Sequence, residues 1–201
     1  MWVWLRLKLL ADVGLVGLPN AGKSTFINHL ANTQAKVGAY PFTTLHPQLG
    51  VVRHRNREFV LADIPGLIAG AADGAGIGDR FLGHIERCRV LIHLIDIAGT
   101  DPAEAMHVVE EELENYGAGL EDKARLVVLN KIDLADGELA ASFSRELQQA
   151  GADRVFAISG ATGQGMDDLL DAVIAHLPAA TATERPAGER EEEDDTPWSP
   201  L

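Results

Sequence analysis

The residues with chemistry in their spacing come early in the chain. Gly17-Leu18-Pro19-Asn20-Ala21-Gly22-Lys23-Ser24, followed by Thr25, has the form G-x-x-x-x-G-K-S, a phosphate-binding pattern. Its two glycines allow a loop to wrap a phosphate with its N–H groups turned inward. A lysine closing such a loop can reach β- and γ-phosphates, and the serine hydroxyl after it can ligate Mg2+. Lys23 and Ser24 hold those two places. The pattern becomes a site when a strand precedes it and a helix follows, because a helix N-terminus adds partial positive charge.

Further groupings follow in a fixed order. Two prolines set the loop Ala39 to Pro47, which carries Phe42-Thr43-Thr44-Leu45-His46. Thr44, with Thr43 beside it, is the candidate to complete Mg2+ coordination through its hydroxyl, with its N–H near the γ-phosphate. Asp63-Ile64-Pro65-Gly66 has the form D-x-x-G. Asp63 is expected to hold Mg2+ through a water, and the Gly66 N–H to sense the γ-phosphate. Loss of that phosphate would release both segments, so that hydrolysis becomes a change of shape.

Asn130-Lys131-Ile132-Asp133 has the form N-K-x-D and selects the base. The Asp133 carboxylate can accept from both N1–H and the 2-amino group of guanine. Adenine has neither donor at those positions, and a site left with an unpaired carboxylate rejects it by about 10^4 where the bonding is fully built in. Lys131 is expected to lay its stem along the base, and Asn130 to brace neighbouring loops. Ser159-Gly160-Ala161 matches a loop that covers the guanine O6 with a backbone N–H, here from Ala161. Gly160 at the middle position is a small departure.

The elements that must position these residues are legible from periodicity. Asp12 to Val16 reads as a buried strand, and Thr25 to Ala31 as a helix with Phe26, Ile27 and Leu30 on its apolar side. Leu49 to Val52 and Glu58 to Ala62 read as two strands joined by a basic turn, Arg53 to Arg57. That turn is open to two readings, a solvated hairpin tip or an RNA contact. Val90 to Asp96 reads as a central strand buried on both faces, with His93 as a core histidine and Cys88 as buried packing before it. Asp101 and Pro102 open a helix towards Tyr116, whose glutamates 110, 111, 112 and 114 form a solvated face. Ala124 to Leu129 is the next strand, 137–150 a helix, Arg154 to Ile158 the last strand, and Met166 to Leu177 a closing helix.

The chain has 201 residues, 46% hydrophobic, with a net charge of -13, which suits one α/β domain and argues against a general nucleic-acid binder. Residues 1–10 form a strand-like lead-in, 11–178 the nucleotide-binding domain, and 179–201 an acidic tail too poor in apolar residues to fold alone. No apolar run approaches the ~20 residues of a membrane span. The start lacks the features of a signal peptide. Cys88 is the single cysteine, which fits a cytoplasmic setting. A monomer is expected.

Together these motifs resemble the Obg family of bacterial GTPases. The carrying residues run from Ala11 to Thr25, then Tyr40 to Leu45, Asp63 to Ile68, Gly74 to Gly78 and Phe81 to Arg87. The resemblance covers about Leu7 to Pro178, and the glycine-dense segment is its most family-specific part. It implies a P-loop, Ras-like G domain: a six-stranded, mostly parallel sheet with helices on both faces and one antiparallel edge strand from a hairpin. It implies GTP and GDP as ligands, Mg2+ as cofactor, guanosine tetraphosphate as a further ligand, and the large ribosomal subunit as partner. The family's glycine-rich N-terminal domain has no counterpart here, so a truncated chain is expected. An acidic residue usual in the family is replaced by Ala69.

Leu67 stands where Ras-like proteins place the glutamine that orients the attacking water, and leucine can do neither half of that task. Some relatives with the same replacement use K+ beside the phosphates, held by an asparagine at the position of Asn20. The catalytic set is therefore Lys23, Thr44, Gly66 and Asn20. Three readings stay open: a GTP-hydrolysing switch in ribosome assembly, a guanine-nucleotide sensor with little turnover, and another P-loop enzyme acting on ATP. The N-K-x-D motif argues against the third.

Overall fold

A computed structural model describes residues 11–33, 35–38, 49–64, 88–99, 101–117, 119–120 and 122–178. The lead-in 1–10, Phe42 to His46, Pro65 to Arg87 and the acidic tail lie outside the described residues.

The described elements are strand β1 (Val13–Val16), helix α1 (Lys23–Thr33), and strands β2 (Ala35–Gly38), β3 (Leu49–His54), β4 (Arg57–Asp63) and β5 (Val90–Asp96). Helix α2 (Pro102–Tyr116), strand β6 (Ala124–Asn130), a 3-10 turn at Ile132–Leu134, helix α3 (Gly137–Gln149), strand β7 (Val155–Ala157) and helix α4 (Met166–His176) follow. They form one sheet in the order β2-β3-β4-β1-β5-β6-β7. From β4 to β7 every pairing is parallel, while β2-β3 and β3-β4 are antiparallel. The fold is the α/β class expected. The short edge strand β2 brings the strand count to seven.

Period-two alternation assigns each strand residue to one of two apolar layers. Val13, Leu15, Ile92, Leu94, Val128 and Phe156 face α1 and α4 and pack on Phe26, Ile27, Leu169 and Val173. Val16, Leu91 and Ala62 face the other way, with Val109 and Leu113 of α2. Ile95, Val127 and Leu129 continue that face towards Met106 and Leu147. Phe26 is completely buried, a burial worth about 1.5–3 kcal/mol, and this anchors α1 directly behind the phosphate-binding loop.

Local signals end the helices where the sequence suggests. The Asp101 carboxylate accepts from Glu104 N, Pro102 takes the first helical position, and Gly117 closes α2 at φ 70°. Asp136 caps α3 in the same way, accepting from Leu139 N. Glu110 departs from the solvated face expected of it: its carboxylate holds Arg125 at 2.6 Å and His107 at 3.1 Å, tying α2 to the start of β6.

The basic turn is shorter and more occupied than either sequence reading. The strands run through His54 and Arg57, leaving Arg55 and Asn56 as a two-residue turn with φ of 44° and 63°. Both central residues left-handed is the turn that matches strand twist. Its basic side chains dock on α4. His54 Nε2 lies 2.8 Å from Asp171, Arg55 lies 2.7 Å from the same carboxylate, and Arg57 donates to Ile174 O and Pro178 O. Arg53 pairs with Glu58 across the hairpin.

Candidate nucleotide-binding site

The site residues sit at the carboxyl ends of the parallel strands. The phosphate-binding loop follows β1, Asp63 ends β4, Asp96 ends β5, Asn130 ends β6, and Ser159 lies just beyond β7. This is the crevice where open α/β sheets bind ligands. The order β4-β1-β5 places the loop at the centre of the sheet, with later strands on one side and the hairpin on the other.

The loop is built by close approach. Gly17, at φ 151°, passes against the Leu94 carbonyl, and Gly22, at φ 95°, passes against the Asn130 amide. A Cβ at either place would collide with those atoms and require a disfavoured backbone. Asn20 is left-handed at φ 66°, a conformation asparagine tolerates. Ala21 N donates to Leu18 O at 3.2 Å, and Phe26 N to Gly22 O at 2.9 Å as the helix begins. Lys23 Nζ donates to Gly17 O at 2.7 Å and Leu18 O at 3.1 Å, so its ammonium curls over its own loop. Pro19, Asn20, Ser24 and Thr25 are exposed.

Lys23 and Asp63 are opposite charges displaced by burial. Burial pushes the Lys23 ammonium below its usual range, and nearby Asp63 partly offsets this. Burial pushes the Asp63 carboxyl up, while Lys23 and the Ile64 N–H pull it back. Asp63 Oδ1 is buried without a hydrogen-bond partner among the described residues. Buried acceptors are nearly always satisfied, so this oxygen suits a donor or cation that the described residues do not supply. An oxygen-only set of Ser24 and Asp63 suits Mg2+. Thr44, the third expected ligand, lies outside the described residues, as do Phe42, Thr43, Leu45, His46, Pro65 and Gly66.

The base side is held by side chain–backbone bonds. Asn130 is 1% exposed. Its Nδ2 donates to Ala21 O at 2.8 Å, and its Oδ1 accepts from Gly160 N at 2.9 Å. One amide thus joins the phosphate loop, the end of β6 and the loop after β7. Lys131 is left-handed at φ 66° and ψ 34°, an uncommon state outside glycine, and its ammonium lies 2.6 Å from Asp96 Oδ2. Ile132 N donates to Ile158 O at 3.1 Å, and Asp133 is exposed at the start of the 3-10 turn. Ser159 is fully buried; its hydroxyl accepts from Thr162 N at 3.1 Å and its N–H donates to Gln164 O. Ala161 is exposed beside it.

Two residues matter here that motif reading passed over. Asp12 accepts from Val60 N at 2.8 Å, and its own N–H donates to Val60 O, locking β4 beside β1. Asp96 anchors Lys131. The available signal was an acid ending a buried strand, next to a strand that ends in Asn-Lys.

A family model described as "50S ribosome-binding GTPase" matches residues 12–131. GTPase Obg of Novosphingobium aromaticivorans is 78% identical over 203 residues, a match covering all of this chain and 58% of that protein. GTPase Obg of Erythrobacter litoralis is 70% identical over the same span. The chain therefore spans about three-fifths of the curated relatives it matches. Among solved structures, the G domain of the T. maritima FeoB iron transporter superposes with a TM-score of 0.58 at 23% identity, covering 84% of this chain and 99% of that one. That likeness shows the fold alone. By its matched family model, the chain belongs to the family described as 50S ribosome-binding GTPase, and over its whole length it is similar to proteins named GTPase Obg.

Proposed function

We propose that this chain binds GTP and GDP and hydrolyses GTP to GDP and phosphate with Mg2+, as a switch in large ribosomal subunit assembly. The observation that carries the reading is Asn130, whose buried amide ties the phosphate loop to the loop after β7. It brings a base-reading segment and a phosphate-binding segment to one mouth. Asp133, three residues on, accepts from N1–H and the 2-amino group of guanine. Lys131 lays its stem along the base, and the Ala161 N–H meets O6. Lys23 swings from the Gly17 and Leu18 carbonyls to the β- and γ-phosphates, where an anion restores the charge that burial disfavours.

Ser24, Thr44 and Asp63 would hold Mg2+. When bound, the ion neutralises charge developing on the phosphate oxygens. Thr44 and Gly66 contact the γ-phosphate by backbone N–H groups. Asn20, already left-handed and exposed in the loop, is the residue for K+, which would take the part of an arginine finger. Guanosine tetraphosphate carries the same base and 5′-diphosphate and would use the same loops. The family description supports the ribosomal role, and the relatives' name supports GTP hydrolysis. The single cysteine supports a cytoplasmic setting for this reading, with the chain acting as a monomer. No helix among the described residues is long and apolar enough to cross a membrane.

Leu67 favours a second reading, a guanine-nucleotide sensor with little turnover of its own. Single-turnover GTP hydrolysis with Mg2+, in K+ against Na+ at equal ionic strength, separates the two. Strong K+ stimulation that Asn20→Ala abolishes supports the switch. Slow and equal rates in both salts support the sensor.

A further inference from the structure

Asp96 closes β5 in register with Asn130, the residue that closes β6. Its side chain is 22% exposed. Both carboxylate oxygens are engaged: Oδ1 accepts from Ala98 N at 2.9 Å, and Oδ2 accepts from Lys131 Nζ at 2.6 Å. Gly99 N donates to the Asp96 carbonyl at 3.0 Å, so the turn after β5 fixes this residue from backbone and side chain alike. Lys131 starts from a left-handed backbone. Its Cε lies within 3.7 Å of where a Cβ on Gly22 would be. The lysine stem therefore spans from the end of β6 past the phosphate loop, with its charged end clamped.

We propose that Asp96 is a positioning residue for the nucleotide, acting through Lys131. The inference rests on the guanine-nucleotide reading. A lysine stem makes a good apolar surface for a flat base only if the ammonium is held to one side and stays paired. A free lysine has rotamer entropy to lose, and the charge-assisted bond to Asp96 takes that loss before the base arrives. Asp133 reads which base is present, and Asp96 sets how long it stays. Releasing Lys131 therefore raises the dissociation rate without changing base preference.

The test is a double-mutant cycle on the 201-residue chain, following release of N-methylanthraniloyl-GDP. Asp96→Ala is expected to speed release by about tenfold to a hundredfold, the weight of a hydrogen bond to a charged group. Asp96→Asn, which keeps an acceptor for Ala98 N–H but loses the charge, is expected to fall in between. Lys131→Met should give a loss like that of Asp96→Ala, and the double variant should be no worse than Lys131→Met alone. Preference for GDP over ADP should stay the same in every Asp96 variant. If the two losses multiply in the double variant, Asp96 acts through the fold and the proposal is overturned while the guanine reading stands. If the unaltered chain does not bind the GDP probe, the guanine reading falls and takes this proposal with it.

Discussion

The base side and the phosphate side of this site are held in different ways. On the base side, both atoms of the Asn130 amide are bonded, Lys131 is paired with Asp96, and Ser159 is engaged through hydroxyl and N–H. On the phosphate side, Lys23 leans on carbonyls of its own loop and Asp63 keeps a buried oxygen with no partner among the described residues. Burial displaces both of those charges from their usual titration ranges, in opposite directions. The loops proposed to read the base are thus ordered by protein contacts in advance. The phosphate-binding residues gain most from an anion and a cation that the nucleotide brings. On the proposed reading, base recognition and phosphate binding fall to different described segments, and one buried asparagine connects them.

The sharpest way to test the base side is Asp133→Asn. Guanine affinity should fall by about 10^3- to 10^4-fold, with xanthine nucleotides gaining, because the amide offers a donor where the carboxylate accepted. Competition titration with GDP and xanthosine diphosphate measures it. A drop of less than tenfold would mean that the base is read elsewhere.

A smaller effect contrasts the two sides in the nucleotide-free protein. Asn130→Ala strands Ala21 O and Gly160 N in a buried place and should cost about 2–4 kcal/mol of stability. Asp63→Asn removes a charge that burial already disfavours and should change stability by no more than about 1 kcal/mol, while weakening the Mg2+ dependence of nucleotide binding. Urea unfolding of both variants without nucleotide checks the comparison. Equal losses would erase the distinction between a prebuilt and a ligand-completed half.

A pH effect away from both halves concerns His93, which lies at the heart of β5, fully buried, with neither ring nitrogen bonded among the described residues. Burial, with Arg125 and Lys23 adding to it, pushes the imidazole down to about 3. The unfolded chain binds a proton near pH 6.5 and the folded chain does not. Stability from this group is therefore intact above about pH 6.5 and is lost as pH falls towards 3, by up to about 1.4 kcal/mol per pH unit. His93→Leu should raise stability at pH 7 by about 1 kcal/mol and flatten that acid limb. Unfolding midpoints from pH 7 to 4 test both statements.

The fold was legible because the central strands are continuous apolar runs buried on both faces, and α2 and α3 each carry an aspartate cap in the sequence. Asp101 with Pro102, and Gly117 after Tyr116, mark α2 to the residue. The phosphate and base motifs were legible because their chemistry demands particular side chains at fixed spacing. What was not legible depends on contacts between distant segments. The Arg53 to Arg57 cluster reads as a solvated tip or an RNA contact, yet Arg55 and Arg57 have partners in Asp171, Ile174 and Pro178, more than a hundred residues away. Glu110 reads as solvated because its cation, Arg125, lies on another element. Asp96 reads as the plain end of a strand until the register places it beside Asn130 and Lys131. Local pattern reveals elements and motifs; it does not reveal which charges meet across the sheet. Cys88 was readable as packing, and burial does push its thiol up to about 11.

The central claim is that a prebuilt guanine-reading half is joined to a phosphate half completed by the nucleotide and Mg2+. Calorimetric titration of the purified chain with GDP and with ADP, each with Mg2+ and with chelator, tests it most directly. The account predicts GDP binding at least about 10^3-fold tighter than ADP in either condition, with Mg2+ strengthening GDP binding further. Equal affinity for the two nucleotides would contradict it.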